Sequence, residues 1–120
     1  MVGYVDNIEK LTLENENFRQ VLFTGKYSQL VLMSLLTNEE IGLEVHNNVD
    51  QFFRVEAGKG KVVMDGEEHV IKDGSAIVVP AGTNHNVINT SSNTKLKLYT
   101  IYSPANHKDG TIHKTKPTFF

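Results

Sequence analysis

The chain has 120 residues, of which 39% are hydrophobic and 22% charged, and its formal net charge is −2. This length and balance predict one globular domain with a single core. Charges of both signs are mixed along the chain, which gives no electrostatic basis for binding nucleic acid or an anionic membrane. The absence of cysteine excludes disulfides and thiolate ligands, so any metal must be bound through nitrogen and oxygen.

The N-terminus gives no sign of a targeting segment. Residues 1–6 lack the basic and apolar regions of a signal peptide. No apolar run approaches the roughly 20 residues that a membrane-spanning helix needs. We therefore expect a cytoplasmic protein.

Short strand patterns separated by turn signals fill most of the chain. Residues 1–16 read as an N-terminal lead-in without a convincing helix, and residues 17–103 carry eight or nine strand patterns. Regular spacing of turn signals between short strands predicts an all-β sandwich or barrel. The strand patterns lie at residues 18–24, 29–36, 41–46, 51–56, 61–64, 68–72, 75–79, from residue 85 onward, and at 95–102.

The second strand pattern is apolar almost throughout, from Leu30 to Leu36. Such a run is typical of a strand that is covered on both faces. A single small barrel offers one interior, so we expect a partner subunit to cover the other face. Because homo-oligomers are most often two-fold dimers, the sequence predicts a homodimer.

A strand–turn–strand unit runs from residue 74 to residue 89 and places a histidine at the start of its second strand. Five of its residues fill all the fixed positions of the second cupin motif, G-x5-P-x-G-x2-H-x3-N; these are Gly74, Pro80, Gly82, His85 and Asn89. The chain thus resembles the cupin superfamily. The resemblance implies a small double-stranded β-helix, or jelly-roll barrel, with His85 as a metal ligand inside it. The competing interpretation is a strand–turn–strand with a structural histidine.

The first cupin motif, G-x5-H-x-H-x3,4-E-x6-G, is matched imperfectly. If Gly58 is its closing glycine, Gln51 stands where the family has glutamate and His46 at the second histidine. Glu44 then replaces the first histidine, and Asn38 replaces the opening glycine. The ligand set that the resemblance implies is Glu44, His46, Gln51 and His85.

This set is chemically coherent. Glu44 and His46 are two residues apart, so on a strand they share a face, and Gln51 is expected on the adjacent antiparallel strand. Two imidazoles with oxygen donors suit one divalent ion of Mn, Fe, Zn or Ni. The alternative is a buried polar network without metal.

Residues 104–120 form a tail with no strand period but with two of the five histidines, His107 and His113. The tail is either solvated or folded over the barrel mouth as a lid, where either histidine could serve as catalytic acid or base. His69 is expected in solvent, and so are Arg54, Lys95 and Lys97. No lysine or arginine is confidently predicted to point inward, which weakens any assignment of a phosphorylated substrate.

Nearly the whole chain resembles short stand-alone cupins described as mannose-6-phosphate-isomerase-like. The resemblance is carried by residues 17–19, 29–33, 42–46, 50–51 and 98–104, and by the tail motifs around His107 and His113. It implies a metal-dependent enzyme, isomerase-like, acting on a small polar, sugar-like substrate. An oxygen-dependent dioxygenase, a non-catalytic module that binds a small ligand through its metal, and a structural subunit are the alternatives.

Overall fold

The computed structural model describes residues 2–118, and most of their regular structure is antiparallel β-sheet. The predicted all-β fold class is confirmed. Within these residues one short helix is followed by nine strands. The elements are α1 Ile8–Glu14, β1 Arg19–Thr24, β2 Gln29–Leu35, β3 Asp50–Ala57, β4 Lys59–Met64, β5 Glu67–Lys72, β6 Ala76–Val79, β7 His85–Asn89, β8 Leu96–Ser103 and β9 Ile112–His113.

The strands form two sheets that enclose one apolar core. The larger sheet has the order β6-β3-β8-β2-β1-β9 and the smaller has the order β5-β4-β7. Phe53, Val55 and Leu98 from the larger sheet join Val62 and Val87 from the smaller sheet in one buried cluster. Alternate residues of each strand therefore face the space between the sheets, which is the arrangement of a jelly-roll barrel.

The lead-in contains a helix that the sequence pattern did not predict. Asn7 caps it, because its side-chain oxygen accepts a hydrogen bond from the backbone N–H of Lys10 at 3.0 Å. At its other end the Lys97 ammonium donates to the Asn15 carbonyl and to Glu16 Oε1, the latter at 3.0 Å. Lys97 is therefore buried, and the prediction that it points into solvent was wrong. The oxygens that pair with its charge belong to a segment the strand pattern could not place.

Helix α1 also changes the argument about the apolar strand β2. The helix packs against β2, β3 and β8 of its own chain. Leu32 and Ser34, which point away from the barrel interior, are both buried within the single chain. A partner subunit is therefore not required to cover these two residues, although Leu36 remains exposed.

The segment 41–46 is not the regular strand that its alternation predicted. It contacts β7 through two isolated bridges, Glu40 with Ile88 and Glu44 with His85. Gly42 between them has φ +113°, a left-handed value that breaks the extended backbone. The segment thus continues the edge of the smaller sheet, and its neighbour is β7 rather than β3.

The tail folds back onto the larger sheet. β9 pairs with β1 in the register Arg19 with His113 and Gln20 with Ile112, although the sequence showed no strand period there. The fully buried Gln29 fastens the tail: its Oε1 accepts from the N–H groups of Asn106 and His107 at 3.1 and 3.0 Å. Its Nε2 donates to the His107 carbonyl at 2.6 Å.

No helix within residues 2–118 has the length and apolarity needed to cross a membrane.

Candidate metal and substrate site

Glu44 and His46 lie on the inner side of the edge segment. Leu43, which precedes Glu44, and Val45, which lies between the two, are exposed. The polar side chains therefore face inward and the apolar ones outward. His46 Nε2 lies 3.1 Å from Glu44 Oε2, but without the alignment of a hydrogen bond. This inverted pattern is the local sign that the segment serves a site rather than the core.

His85 comes into the same site from strand β7. Its backbone exchanges two 2.9 Å hydrogen bonds with Glu44, which places both side chains on one face of the sheet. Gly82, at φ +85°, makes the preceding turn and donates its N–H to the His46 carbonyl at 2.8 Å. The turn of the second motif is therefore tied directly to the segment of the first.

The ring of His85 is held in one orientation. Its Nδ1 lies 3.0 Å from the Thr83 backbone carbonyl, which can only accept a hydrogen bond. In the neutral ring the proton is therefore on Nδ1, and Nε2 keeps a free lone pair. A backbone carbonyl that orients an imidazole in this way is a common feature of metal-binding histidines. The rings of His46 and His85 have their centroids 5.3 Å apart.

Gln51 lies on strand β3 of the opposite sheet, where it is buried. Its Nε2 donates to Thr100 Oγ1 at 3.0 Å, which fixes the amide. Its Oε1 is buried and has no hydrogen-bond partner among the described residues. The prediction that Gln51 neighbours the Glu44 segment on an adjacent strand was wrong, because the intervening loop crosses from one sheet to the other.

These four residues supply metal donors without closing a coordination sphere. Within residues 2–118, no three His, Asp or Glu side chains converge as a metal site. Two buried donors, His46 Nε2 and Gln51 Oε1, nevertheless lack a hydrogen-bond partner within that range. Burial lowers the pKa of His46, and Glu44 offsets this in part, so the ring tends toward the neutral form that binds metals. The residue types of this set are therefore ones that a divalent ion can use as ligands.

Tyr102 and His107 contact each other, and Tyr102 also contacts His46. His107 Nε2 lies 3.2 Å from the Tyr102 hydroxyl, and the two rings meet edge to face at 5.2 Å. The Tyr102 ring also meets the ring of His46 edge to face at 6.0 Å. Burial is the main reason that the pKa of His107 falls to about 4, helped by the nearby charge of Arg19. Burial raises the pKa of Tyr102. Both groups are therefore neutral at pH 7.

Arg19 lines the cavity of this region and was missed by sequence reasoning. It is only 7% exposed and its Nη1 lies 3.0 Å from His113 Nδ1. The expectation that no arginine points inward was therefore wrong. The signal was its parity, because Arg19 is two residues from the buried Val21 on strand β1 and so shares its face. Tyr102 could have been found in the same way, since it shares parity with the buried Leu98 and Thr100.

Three of the four residues predicted to face solvent are exposed, and one of them is Lys95, with 43% of its side chain exposed. Arg54 is 43% exposed and pairs with Glu56 at 2.8 Å, and His69 is exposed beside Glu67. The two tail histidines lie on the inner side of the tail, where His107 contacts Tyr102 and His113 contacts Arg19.

A cavity of about 480 Å³ opens beside the candidate ligands. Its charged and polar walls are Arg19, Glu44, His107 and Lys116. The remaining walls are mostly apolar and are formed by Phe18, Ile41, Gly42, Leu43 and Pro117. This combination of apolar walls with a few polar groups is typical of a small-molecule site.

The chain is similar to several known proteins. A sequence profile described as "Cupin domain" matches residues 31–102. The uncharacterized protein YrkC of Bacillus subtilis is 56% identical over 119 residues, which are 94% of this chain and 63% of YrkC. The chain thus spans less than two thirds of that relative. Protein L612 of Acanthamoeba polyphaga mimivirus is 45% identical over 95% of this chain and 73% of its own length.

Two further matches bear on fold and chemistry. The crystal structure of BH2720 from Bacillus halodurans has a TM-score of 0.92 and 48% identity, and the match covers 94% of this chain and 89% of that one. Quercetin 2,3-dioxygenase of Bacillus subtilis is 31% identical over 84 residues, which are 70% of this chain but only 25% of the dioxygenase.

Proposed function

This chain belongs to the cupin family, and we propose that it is a metal-dependent enzyme that acts on a small polar, sugar-like substrate. An isomerase, as in the mannose-6-phosphate-isomerase-like cupins, is the first candidate. We assign the metal to Glu44, His46, Gln51 and His85. One divalent ion of Mn, Fe, Zn or Ni type is the proposed cofactor.

One observation carries this proposal. His46 Nε2 and Gln51 Oε1 are buried without a hydrogen-bond partner among the described residues. An unsatisfied buried polar atom costs about 1–3 kcal/mol, so each of the two needs an explanation. A cation shared by the two atoms provides it. An imidazole nitrogen and an amide oxygen can both act as ligands, whereas a mere packing defect would not gather such donors beside Glu44 and His85.

The metal would act as a Lewis acid toward a substrate oxygen and stabilise negative charge on it. The chain's own residues supply the rest. His107, neutral at pH 7 because its pKa lies near 4, can accept a proton at a ring nitrogen. The Tyr102 hydroxyl, 3.2 Å from His107 Nε2, orients the imidazole. The tail, fastened by Gln29, excludes water from this side.

The two tail histidines differ in role. His107 lines the cavity together with Glu44, so it is the better candidate for acid–base catalysis. His113 contacts the Arg19 guanidinium at 3.0 Å, so it serves first to position that side chain. We therefore keep both as catalytic-site residues but assign proton transfer to His107.

A second candidate function is an oxygen-dependent dioxygenase. The similarity to quercetin 2,3-dioxygenase favours it, because that match covers 70% of this chain at 31% identity. It extends over a quarter of the dioxygenase, so it bears on the barrel rather than on the whole enzyme.

We also propose a homodimer and retain the predicted division into a lead-in (1–16), a barrel (17–103) and a C-terminal tail (104–120), for which we propose the lid role. An outward row of apolar residues crosses five strands of the larger sheet in direct register. The row is Phe23, Leu30, Ile101, Phe52 and Val78. None of the five is buried in the single chain. A small-molecule ligand is the other expected partner, and the cytoplasmic location stays a prediction.

The test has two stages. Elemental analysis of purified protein first identifies the metal and its stoichiometry, expected near one ion per chain. The loaded protein is then offered sugars and sugar phosphates without oxygen, and phenolic and polar substrates with an oxygen electrode. Turnover without oxygen supports the isomerase, and substrate-dependent oxygen uptake supports the dioxygenase.

His107→Gln serves as the catalytic variant and His69→Gln, on the exposed hairpin, as its matched control. We expect the first to lose turnover at unchanged metal content, and the second to behave as wild type. A metal-loaded protein that binds a substrate but turns none over would support the non-catalytic module, and a protein without metal would contradict the proposal.

A further inference from the structure

We propose that Arg19 and Lys116 form a binding site for the carboxylate group of a small organic acid, in the cavity beside the candidate metal ligands. This inference deepens the proposed function, on which it rests for the identity of the cavity as a substrate site. The anion site itself requires no metal.

The first observation is a buried charge without a counter-ion. Arginine keeps its positive charge in proteins, yet Arg19 is only 7% exposed. Among residues 2–118, no carboxylate lies within ion-pair distance of it. Buried charges are otherwise almost always paired, because desolvation costs several kcal/mol per ion. An anion supplied by a ligand would complete the pair.

The second observation is unused hydrogen-bonding capacity. A guanidinium has five N–H donors. The Nη1 atom of Arg19 lies 3.0 Å from His113 Nδ1, and its Cζ atom lies 5.0 Å from the centre of the Phe18 ring. Its Nε is buried and has no partner among the described residues. The hydrogen bond to His113 holds the side chain in place but neutralises none of its charge.

The chain's other arginine provides a contrast. Arg54 lies on the outer face, is 43% exposed, and pairs with Glu56 at 2.8 Å. An exposed arginine needs such a partner least, because water screens its charge. The arginine that needs a partner most is the one without a carboxylate, and it lines the cavity.

The cavity walls indicate the class of ligand. About 480 Å³ is enough for a small organic molecule. Arg19 and Lys116 bring two positive charges and Glu44 one negative charge, while His107 is neutral at pH 7. The net positive charge suits a monoanion better than a dianion. The planar fork of arginine matches the two oxygens of a carboxylate, and Phe18, Ile41 and Leu43 suit an apolar body.

The site also orients its ligand. Glu44 is both a cavity wall and a candidate metal ligand. An acid whose carboxylate meets Arg19 would therefore present its other end toward Glu44 and His46. The substrate would then carry the carboxylate at a distance from its reacting oxygen.

Calorimetric titration tests the inference with acetate, butyrate and inorganic phosphate as probes and with butanol as a neutral control. Each is titrated into wild type and into three variants, first after metal removal with a chelator and then with Mn²⁺ present. The variants are Arg19→Gln, Lys116→Gln and, as the matched control on the outer face, Arg54→Gln. We expect butyrate to bind wild type and Arg54→Gln equally, and Arg19→Gln about 10-fold or more weakly.

Melting temperatures without ligand show whether Arg19→Gln still folds. If it does not, Lys116→Gln decides, because the described residues give Lys116 no hydrogen bond or ion pair to lose; weaker butyrate binding by this variant supports the site. Equal binding by all folded variants, or tighter binding of butanol than of butyrate, overturns it. Preference for phosphate over both carboxylates also overturns the carboxylate assignment. Butyrate binding that persists in a protein unable to hold metal would leave this site standing while the proposed metal function fails.

Discussion

At the scale of single residues, the site depends on side chains that face inward against the usual pattern. In the segment 41–46 the exposed positions are Leu43 and Val45, and the inward ones are Glu44 and His46. Inward polar residues are costly unless they are paired or bind an ion. The first two predictions therefore concern metal binding by these residues.

Replacing either imidazole should abolish metal binding. We expect His46→Ala and His85→Ala each to lower affinity for Mn²⁺ by more than ~100-fold, since changes to residues that merely support ligands already cost 10–100-fold. Metal content after dialysis and a titration with Mn²⁺ measure this. His69→Ala, which changes an exposed histidine, should retain the wild-type content, and wild-type content in both site variants would contradict the assignment.

Replacing the amide of Gln51 by a carboxylate should strengthen metal binding. Gln51→Glu adds a negative charge next to the proposed ion and keeps the oxygen at Oε1, which lacks a partner among the described residues. It replaces Nε2, which donates to Thr100 Oγ1, by a second carboxylate oxygen. We expect tighter Mn²⁺ binding and lower turnover, because the activity depends on the present ligand charge. Gln20→Glu makes the same change in a residue that bonds Asn17 instead. If Gln51→Glu binds Mn²⁺ more weakly than wild type, Gln51 does not contact the ion.

At the scale of elements, two segments outside the barrel are each held by a buried polar side chain. Gln29 makes three hydrogen bonds to the backbone of the tail. Lys97 holds the end of α1 through Asn15 and Glu16. Both contacts join residues more than seventy positions apart, so their loss should release one segment without unfolding the sheets.

Removing the Gln29 side chain should release the tail. Gln29→Ala leaves two N–H groups and one carbonyl of Asn106 and His107 without partners, and each buried group costs about 1–3 kcal/mol if water does not replace it. We expect lower stability, faster proteolysis after residue 103, and unchanged metal content. Denaturant melts and limited proteolysis measure this, with Gln20→Ala as control. A tail that stays protected in Gln29→Ala would show that other contacts hold it.

Acid should weaken the docking of α1. Lys95 and Lys97 hold the pKa of Glu16 down to about 2. A carboxyl whose pKa is lowered by folding stabilises the native state above its ordinary value, and this contribution is lost as the pH falls from about 4.5 toward 2. We expect Glu16→Gln to melt below wild type at pH 7, with the gap narrowing as the pH falls through that range.

The control for the Glu16 prediction is salt, because the carboxylate is solvent-exposed and its attraction to the lysines is screened. The gap at pH 7 should shrink in 1 M NaCl. A gap that does not change with pH would show that Glu16 acts through packing rather than charge.

At the scale of the whole molecule, the apolar outer row offers a surface for a second copy. Val78 at its end is 63% exposed, and Phe52 lies next to it, between Val78 and Ile101. Burial of such a row in a two-fold interface would remove it from water. Helix α1 already covers part of the outer face of β2, so that strand alone no longer argues for a partner. The proposed dimer rests on the apolar row instead.

A charge within the row should prevent dimer formation. We expect wild type to be a dimer by light scattering at micromolar concentration and Phe52→Glu to be a monomer with native circular dichroism. Val70→Glu changes an exposed apolar residue of the smaller sheet and should remain dimeric. A monomeric wild type, or a dimeric Phe52→Glu, would contradict the proposed interface.

Local patterns predicted much of this molecule. The hairpin turn at Asp65-Gly66 was predictable because a two-residue hairpin favours Asp-Gly, and both residues adopt the positive φ that it requires. The turn before His85 was readable because Gly82 needs a left-handed backbone. Helix α1 was missed because seven residues give too few turns for a clear period. The burial of Lys97 was missed because its partners lie in that unrecognised helix.

The sequence by itself determined the all-β class, the order of most strands and the two cupin motifs, because these depend on alternation and turn chemistry over a few residues. Only the tertiary structure decided that the Glu44 segment pairs with β7, that Gln51 faces it from the other sheet, and that the tail brings His107 to Tyr102. It also decided that Arg19 is a buried cation without a carboxylate partner among the described residues. The contacts of Glu44 with His85 and of Arg19 with His113 join residues distant in the chain. Local patterns do not record which distant surfaces will meet, nor which way a loop or a tail will turn.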